Sequence, residues 1–168
     1  FSALFNRVTS ILSEEGSIPV INGLTDLHHP CQIVADFMTI QEHKGSLKGV
    51  KLVYVGDGNN MAHSFMIGGA LMGMEIVIVT PAEYGPNEEI INKAQALAEK
   101  NQGSITLSQD PHKSIVGADV VVTDVWASMG SESEQAIRMA AFKDYQVNQA
   151  LVEKAADDFI FLHCLPAH

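Results

Sequence analysis

Short apolar runs rich in β-branched residues recur along the chain: IPVI at 18–21, VKLVYV at 50–55, EIVIVT at 75–80, SITL at 104–107, DVVVTDV at 119–125 and FIFLHC at 159–164. Such runs predict strands, and most are too continuous to keep one face in water. Between them, segments 30–43, 61–72, 87–100, 131–141 and 148–156 have helical character, and residues 1–16 read as an amphipathic helix. Strand and helix alternating at this spacing is the signature of βαβ units. The predicted fold is α/β: a doubly wound, mainly parallel sheet with helices on both faces, Rossmann-like. No repeat, low-complexity stretch or Pro/Gly/Ser linker divides it, so residues 1–168 are expected to form a single domain.

Composition agrees with one globular unit. The chain has 168 residues, 46% hydrophobic and 18% charged, and a domain of that length buries roughly 68–70% of its unfolded surface. Cys31 and Cys164 therefore need not form a disulfide framework. Ten Lys and Arg against 20 Asp and Glu give a net charge of −10, which opposes attraction to nucleic acid or an anionic membrane. The longest apolar run, 65–74, holds three glycines and is far short of a membrane span. The first residues lack a basic start and an apolar h-region, so a cytoplasmic protein is expected. A chain that begins at Phe1 and stops at LPAH reads as an internal piece of a longer one.

Ligands of open parallel sheets bind outside the carboxyl ends of the strands. Three of the predicted strands end in polar residues: GDGNN at 56–60, TDVWASMG at 123–130 and HCLPAH at 163–168. GDGNN follows a strand and opens a helix, so free backbone N–H groups there are expected to hold a carboxylate or phosphate. Its asparagines also suit turns and helix caps without a ligand. Asp124 is placed either to bind a substrate ammonium or to cap a helix. Trp126 suits core or lid packing. Cys164 reads as a small buried hydrophobe or as half of a Cys/His pair, and the two cysteines lack the ligand spacing of a structural zinc site. In LHHPCQ at 27–32, Pro30 suits a first helical turn. His28, His29 and Gln32 would then lie at a helix N-terminus, which favours an anion or oxyanion and a neutral imidazole, or else simply cap the helix.

LHHPCQ, GDGNN, DVWASMG and HCLPAH, in this order and at these separations, resemble the transcarbamylase family over residues 18–168. DxWxSMG with HCLP resembles its ornithine branch. The resemblance implies that the side-chain amine of L-ornithine attacks the carbonyl carbon of carbamoyl phosphate, giving citrulline and phosphate, with no cofactor and no metal. It further implies that His29 and Gln32 contact the carbamoyl group, His29 polarising its oxygen. Asn60 and Asp124 would hold the α-carboxylate and α-amino group, aided by Ser128 and the main chain of Met129, and Cys164 and Leu165 would meet the reacting end. An uncharged amine delivered to an electrophile whose oxygen gains charge calls for orientation and oxyanion stabilisation more than a covalent nucleophile.

The family's phosphate-gripping Ser-Thr-Arg-Thr-Arg loop has no counterpart here, and the arginines present, Arg7 and Arg138, stand in other contexts. The resemblance therefore implies the ornithine-binding half of a two-domain enzyme. Residues 1–17 would lead in from a carbamoyl-phosphate-binding domain, the complete protein being a homotrimer and the 168-residue chain inactive alone. Two rivals are a dinucleotide-binding oxidoreductase fragment and a non-catalytic amino-acid-binding module. Against the first, the third glycine of GxGxxG falls at Met61, and the second Rossmann strand ends in Thr80 and Pro81 where a ribose-binding acid is wanted.

Overall fold

The computed structural model describes residues 2–126, 135–165 and 167, with side chains from Arg7 onward. Five parallel strands form one sheet: β1 (Lys51–Val55), β2 (Glu75–Val79), β3 (Ser104–Ser108), β4 (Val120–Thr123) and β5 (Ile160–His163). Their order is β3-β2-β1-β4-β5. The direction of winding reverses between β1 and β4, which pair in register from Leu52 opposite Val120 to Val55 opposite Thr123. The helices are α1 (Ser2–Glu15), α2 (Pro30–Lys44), α3 (Asn60–Met72), α4 (Glu88–Asn101), α5 (Pro111–Ser114), α6 (Gln135–Ala141) and α7 (Gln149–Val152).

Alternation along the strands builds two cores. Leu52, Tyr54, Ile76, Ile78, Val120 and Val122 face one side, against Ile33, Phe37 and Ile40 of α2, Phe65 and Met66 of α3 and Ala94 of α4. Val53, Val55, Val77, Val79 and Val121 face the other, against Ile115 and Leu151. Helices thus cover both faces, as the doubly wound pattern predicts, and each fully buried Leu, Ile or Phe contributes roughly 1.5–3 kcal/mol.

Three expectations are corrected. IPVI at 18–21 is not a strand: Ile18 and Ile21 are 74% and 83% exposed, and Pro19 removes a ladder donor. The helix expected over 148–156 is the single turn α7. Its continuation is diverted because Lys154 O accepts from Gly117 N–H and Ala156 N–H donates to Ala118 O, fastening 154–156 to the turn before β4. Strand β3 is more exposed than its apolar reading implied, because it lies at the edge of the sheet. No helix among the described residues is long and apolar enough to cross a membrane.

α2 is pinned at both ends. The N–H of His29, its N-cap residue, donates to Ser64 Oγ of α3 at 2.8 Å. At its other end, the largely buried Lys44 ammonium pairs with the exposed Asp158 carboxylate at 2.9 Å, ahead of β5.

Candidate active site at the carboxyl edge of the sheet

Strands β1, β4 and β5 are neighbours, so the segments GDGNN, TDVW and HCL emerge side by side at the reversal point. Asp124 is the hub. It is only 9% exposed, and its Oδ2 accepts from Asn59 Nδ2 at 2.9 Å. Its Oδ1 accepts from the Cys164 thiol at 2.9 Å and from the Val125 N–H at 2.7 Å. Among the described residues these three donors are its partners, two on Oδ1 and one on Oδ2, of the about four acceptor positions a carboxylate offers.

The donors to Asp124 are themselves oriented. Asn59 is the N-cap of α3: its Oδ1 accepts from the N–H groups of Met61 and Ala62 and from the hydroxyl of fully buried Tyr54 at 3.3 Å. Burial pushes the Tyr54 hydroxyl well above its ordinary pKa, and the charges of Asp124 and Asp57 add to this. Burial likewise pushes the Cys164 thiol up to about 12, reinforced by its bond to Asp124 and by the charges of Asp124 and Asp36. Cys164 is therefore a protonated thiol that donates a hydrogen bond. Neither cysteine is in a disulfide.

The N-terminus of α3 differs from its sequence reading. Four of its N–H groups are already bonded: Gly58 donates to Tyr84 O, Met61 and Ala62 to the Asn59 side chain, and His63 to Asn59 O. Met61 is buried where the third glycine of a dinucleotide loop would lie. Gly58 is required here, since a Cβ would stand 2.4 Å from both Gly85 C and Pro86 N.

A second group lies on α2. Pro30 opens the helix as expected, and the His29 side chain does not cap it. The buried Nδ1 of His29 has no hydrogen-bond partner among the described residues. Gln32 Nε2 donates to Asp36 Oδ1 at 3.0 Å. Burial raises the pKa of Asp36, with Gln32 and His29 opposing. Asn60 is turned toward this group, donating through Nδ2 to Thr25 O at 2.7 Å, while Ser64 Oγ donates to Asn60 O.

The structure thus joins Asp124 and Cys164 directly, and ties Asn60 to His29 through Ser64. Leu165 follows at the rim, 87% exposed. Ser128 and Met129 lie outside the described residues. Three participants were not singled out from sequence. Asn59 was not distinguished from its neighbour Asn60. His63 is buried and bridges Leu27 O through Nδ1 and Asn87 N–H through Nε2, both at 3.0 Å; burial lowers its pKa. Arg138 pairs with Asp57 at 2.6 Å. The only advance signal for Asn59 was its place where a strand gives way to a helix. Among the described residues no cluster of His, Cys, Asp and Glu has the form of a metal site.

An open parallel sheet wound in both directions, with a buried carboxylate and a protonated thiol at the carboxyl ends of neighbouring strands, defines an α/β domain of the doubly wound class. Residues 48–168 match the family profile "Aspartate/ornithine carbamoyltransferase, Asp/Orn binding domain", and residues 4–42 match "Aspartate/ornithine carbamoyltransferase, carbamoyl-P binding domain". The chain belongs to the aspartate/ornithine carbamoyltransferase family. It is 57% identical over 157 residues to an ornithine carbamoyltransferase of Oceanobacillus iheyensis, covering 94% of this chain and 49% of that protein. It is 50% identical to a catabolic ornithine carbamoyltransferase of Thermoplasma acidophilum, over 100% of this chain and 55% of that one. The solved ornithine carbamoyltransferase of Pyrococcus furiosus superposes with a TM-score of 0.92 at 51% identity, over 96% of this chain and 52% of its own. The chain spans about half the length of the relatives it matches.

Proposed function

We propose that the complete protein transfers the carbamoyl group of carbamoyl phosphate to the side-chain amine of L-ornithine, giving citrulline and phosphate. In this reading residues 48–168 are its ornithine-binding part, and residues 4–42, which carry His29 and Gln32, belong with its carbamoyl-phosphate-binding part. Asp124 takes the ornithine α-ammonium; Asn60, with Ser128 and the Met129 main chain, addresses the α-carboxylate. His29 and Gln32 meet the carbamoyl group, the imidazole polarising its oxygen. Cys164 and Leu165 flank the reacting amine.

The chemistry follows from the protonation states. The amine nitrogen bonds to the carbonyl carbon, the bond from that carbon to the phosphate oxygen breaks, and the nitrogen gives up a proton. A thiol held at about 12 supplies almost no thiolate near neutrality, so Cys164 orients the amine and forms no covalent intermediate. The protein acts as a cytoplasmic homotrimer in arginine metabolism, as the family resemblance implies. The observation that carries the reading is the hydrogen-bonded set Asn59–Asp124–Cys164 at the sheet reversal, in a chain that shares half its residues with ornithine carbamoyltransferases.

The test is steady-state kinetics of the complete protein carrying Asp124→Asn. Loss of a charge-assisted hydrogen bond worth roughly 1.5–3 kcal/mol weakens ornithine use by about 10- to 150-fold. Unchanged apparent affinity and rate would refute the role given to Asp124.

A further inference from the structure

Arg138 reaches three of the loops at the carboxyl edge from its place on α6. Its Nη1 donates to Asp57 Oδ2 at 2.6 Å, in the loop after β1, and to Trp126 O at 3.1 Å, in the segment after β4. Its guanidinium carbon lies 5.0 Å from the centre of the Tyr84 ring, in the connection after β2. Tyr84 in turn accepts from Gly58 N–H at 2.8 Å. Phe142 packs against Tyr84 at 4.8 Å and against Trp126 at 6.1 Å between ring centres.

The placement of these contacts is informative. Asp57 precedes Asn59 by two residues, and Trp126 follows Asp124 by two. The Arg138 contacts therefore span the same two loops as the Asn59–Asp124 bond, one step behind the site. Arg138 and Asp57 side chains are only 15% and 13% exposed, so removing Arg138 takes from the largely buried Asp57 carboxylate the cation it pairs with. Donors in a planar fork and a face that stacks on an aromatic ring suit this junction; a lysine ammonium keeps the charge but lacks the fork. With its guanidinium engaged here, Arg138 is an internal brace rather than a phosphate clamp.

We infer that Arg138 is a positioning residue: by holding Asp57, the Trp126 carbonyl and Tyr84 together, it fixes the backbone just after β1, β2 and β4 so that the Asp124 carboxylate is held where it meets the ornithine ammonium. The inference rests on the function proposed above for its link to ornithine, but the brace itself stands on geometry.

The experiment compares the complete protein with its Arg138→Gln, Arg138→Lys, Asp57→Asn and Asp57→Asn/Arg138→Gln variants. Arg138→Gln is expected to raise KM for ornithine by about tenfold or more, the scale of one charge-assisted hydrogen bond. KM for carbamoyl phosphate and kcat at saturating ornithine should stay within about threefold, since substrate binding rather than the chemical step is disturbed. Arg138→Lys should fall between, and the double variant should be no worse than the more damaged single one, as coupled residues require. Hydrogen exchange should quicken in peptides covering 56–62 and 120–126 and stay unchanged over 75–79. Equal losses in all kinetic constants, no loss, additive variants or an exchange change spread over the whole sheet would each overturn the inference. If the unaltered protein does not use ornithine, the proposed function falls. The exchange pattern and the double-variant coupling in stability then decide the brace alone, coupled and local changes supporting it and additive or global ones refuting it.

Discussion

The thiol of Cys164 donates its hydrogen to Oδ1 of Asp124 at 2.9 Å, joining the ends of two neighbouring strands. Each residue sets the chemistry of the other. Burial first, and the carboxylate after it, keep the thiol protonated, and the thiol and the Val125 N–H both bond to Oδ1 while Asn59 bonds to Oδ2.

Cysteine alkylation reads this pairing directly. With iodoacetamide at pH 8.5, exposed Cys31 should react first and Cys164 should stay largely unmodified. Replacing Asp124 by Asn removes the carboxylate charge, and each pKa unit regained multiplies the thiolate about tenfold. Peptide mass spectrometry should then show Cys164 reacting faster with Cys31 unchanged. Equal Cys164 rates in the two proteins would mean that the carboxylate does not control the thiol.

Gly58 fixes the approach of the β2–α4 connection to the start of α3. An alanine Cβ would meet backbone at 2.4 Å, and backbone cannot rotate away as a side chain can. Gly58→Ala should destabilise by about 1–3 kcal/mol. A chain of this size loses roughly 2–4 °C in Tm per kcal/mol, so calorimetry should show a fall of several degrees. An unchanged Tm would contradict the packing described.

His63 makes stability depend on pH. Its Nε2 accepts from Asn87 N–H, which requires the neutral ring, and burial lowers its pKa below the ordinary 6.5. A histidine with a depressed folded-state pKa takes up its proton more readily when unfolded, so its contribution is fully present above about pH 6.5 and is lost as pH falls toward the folded value. The unfolding free energy should therefore fall between about pH 7 and pH 5.5, with a shallower slope in His63→Gln. Parallel slopes in urea titrations would remove His63 from the account.

How far the sequence revealed this molecule depended on which forces act locally. The central strands β1, β2 and β4 were legible because burial on both faces leaves uninterrupted β-branched runs. IPVI at 18–21 has the same composition but no strand beside it, and pairing is not written in a segment's own residues. Asp124 and Cys164 were legible as polar endings of buried strands. Asn59 was not separable from Asn60, because adjacent helix-terminal side chains point apart and only the fold decides which faces Asp124 and which faces Thr25. Arg138 and His63 gave no signal because their partners lie 81 and 36 positions away.

The acceptor that the complete protein carbamoylates distinguishes ornithine from aspartate as its substrate. Supplied with carbamoyl phosphate and equal millimolar L-ornithine and L-aspartate, the complete protein should produce citrulline and phosphate in equal amounts. Mass spectrometry of the products should find no carbamoyl-aspartate, and Asp124→Asn should suppress citrulline without unfolding the protein. Carbamoyl-aspartate as the main product, or phosphate released without citrulline, would contradict the proposed function.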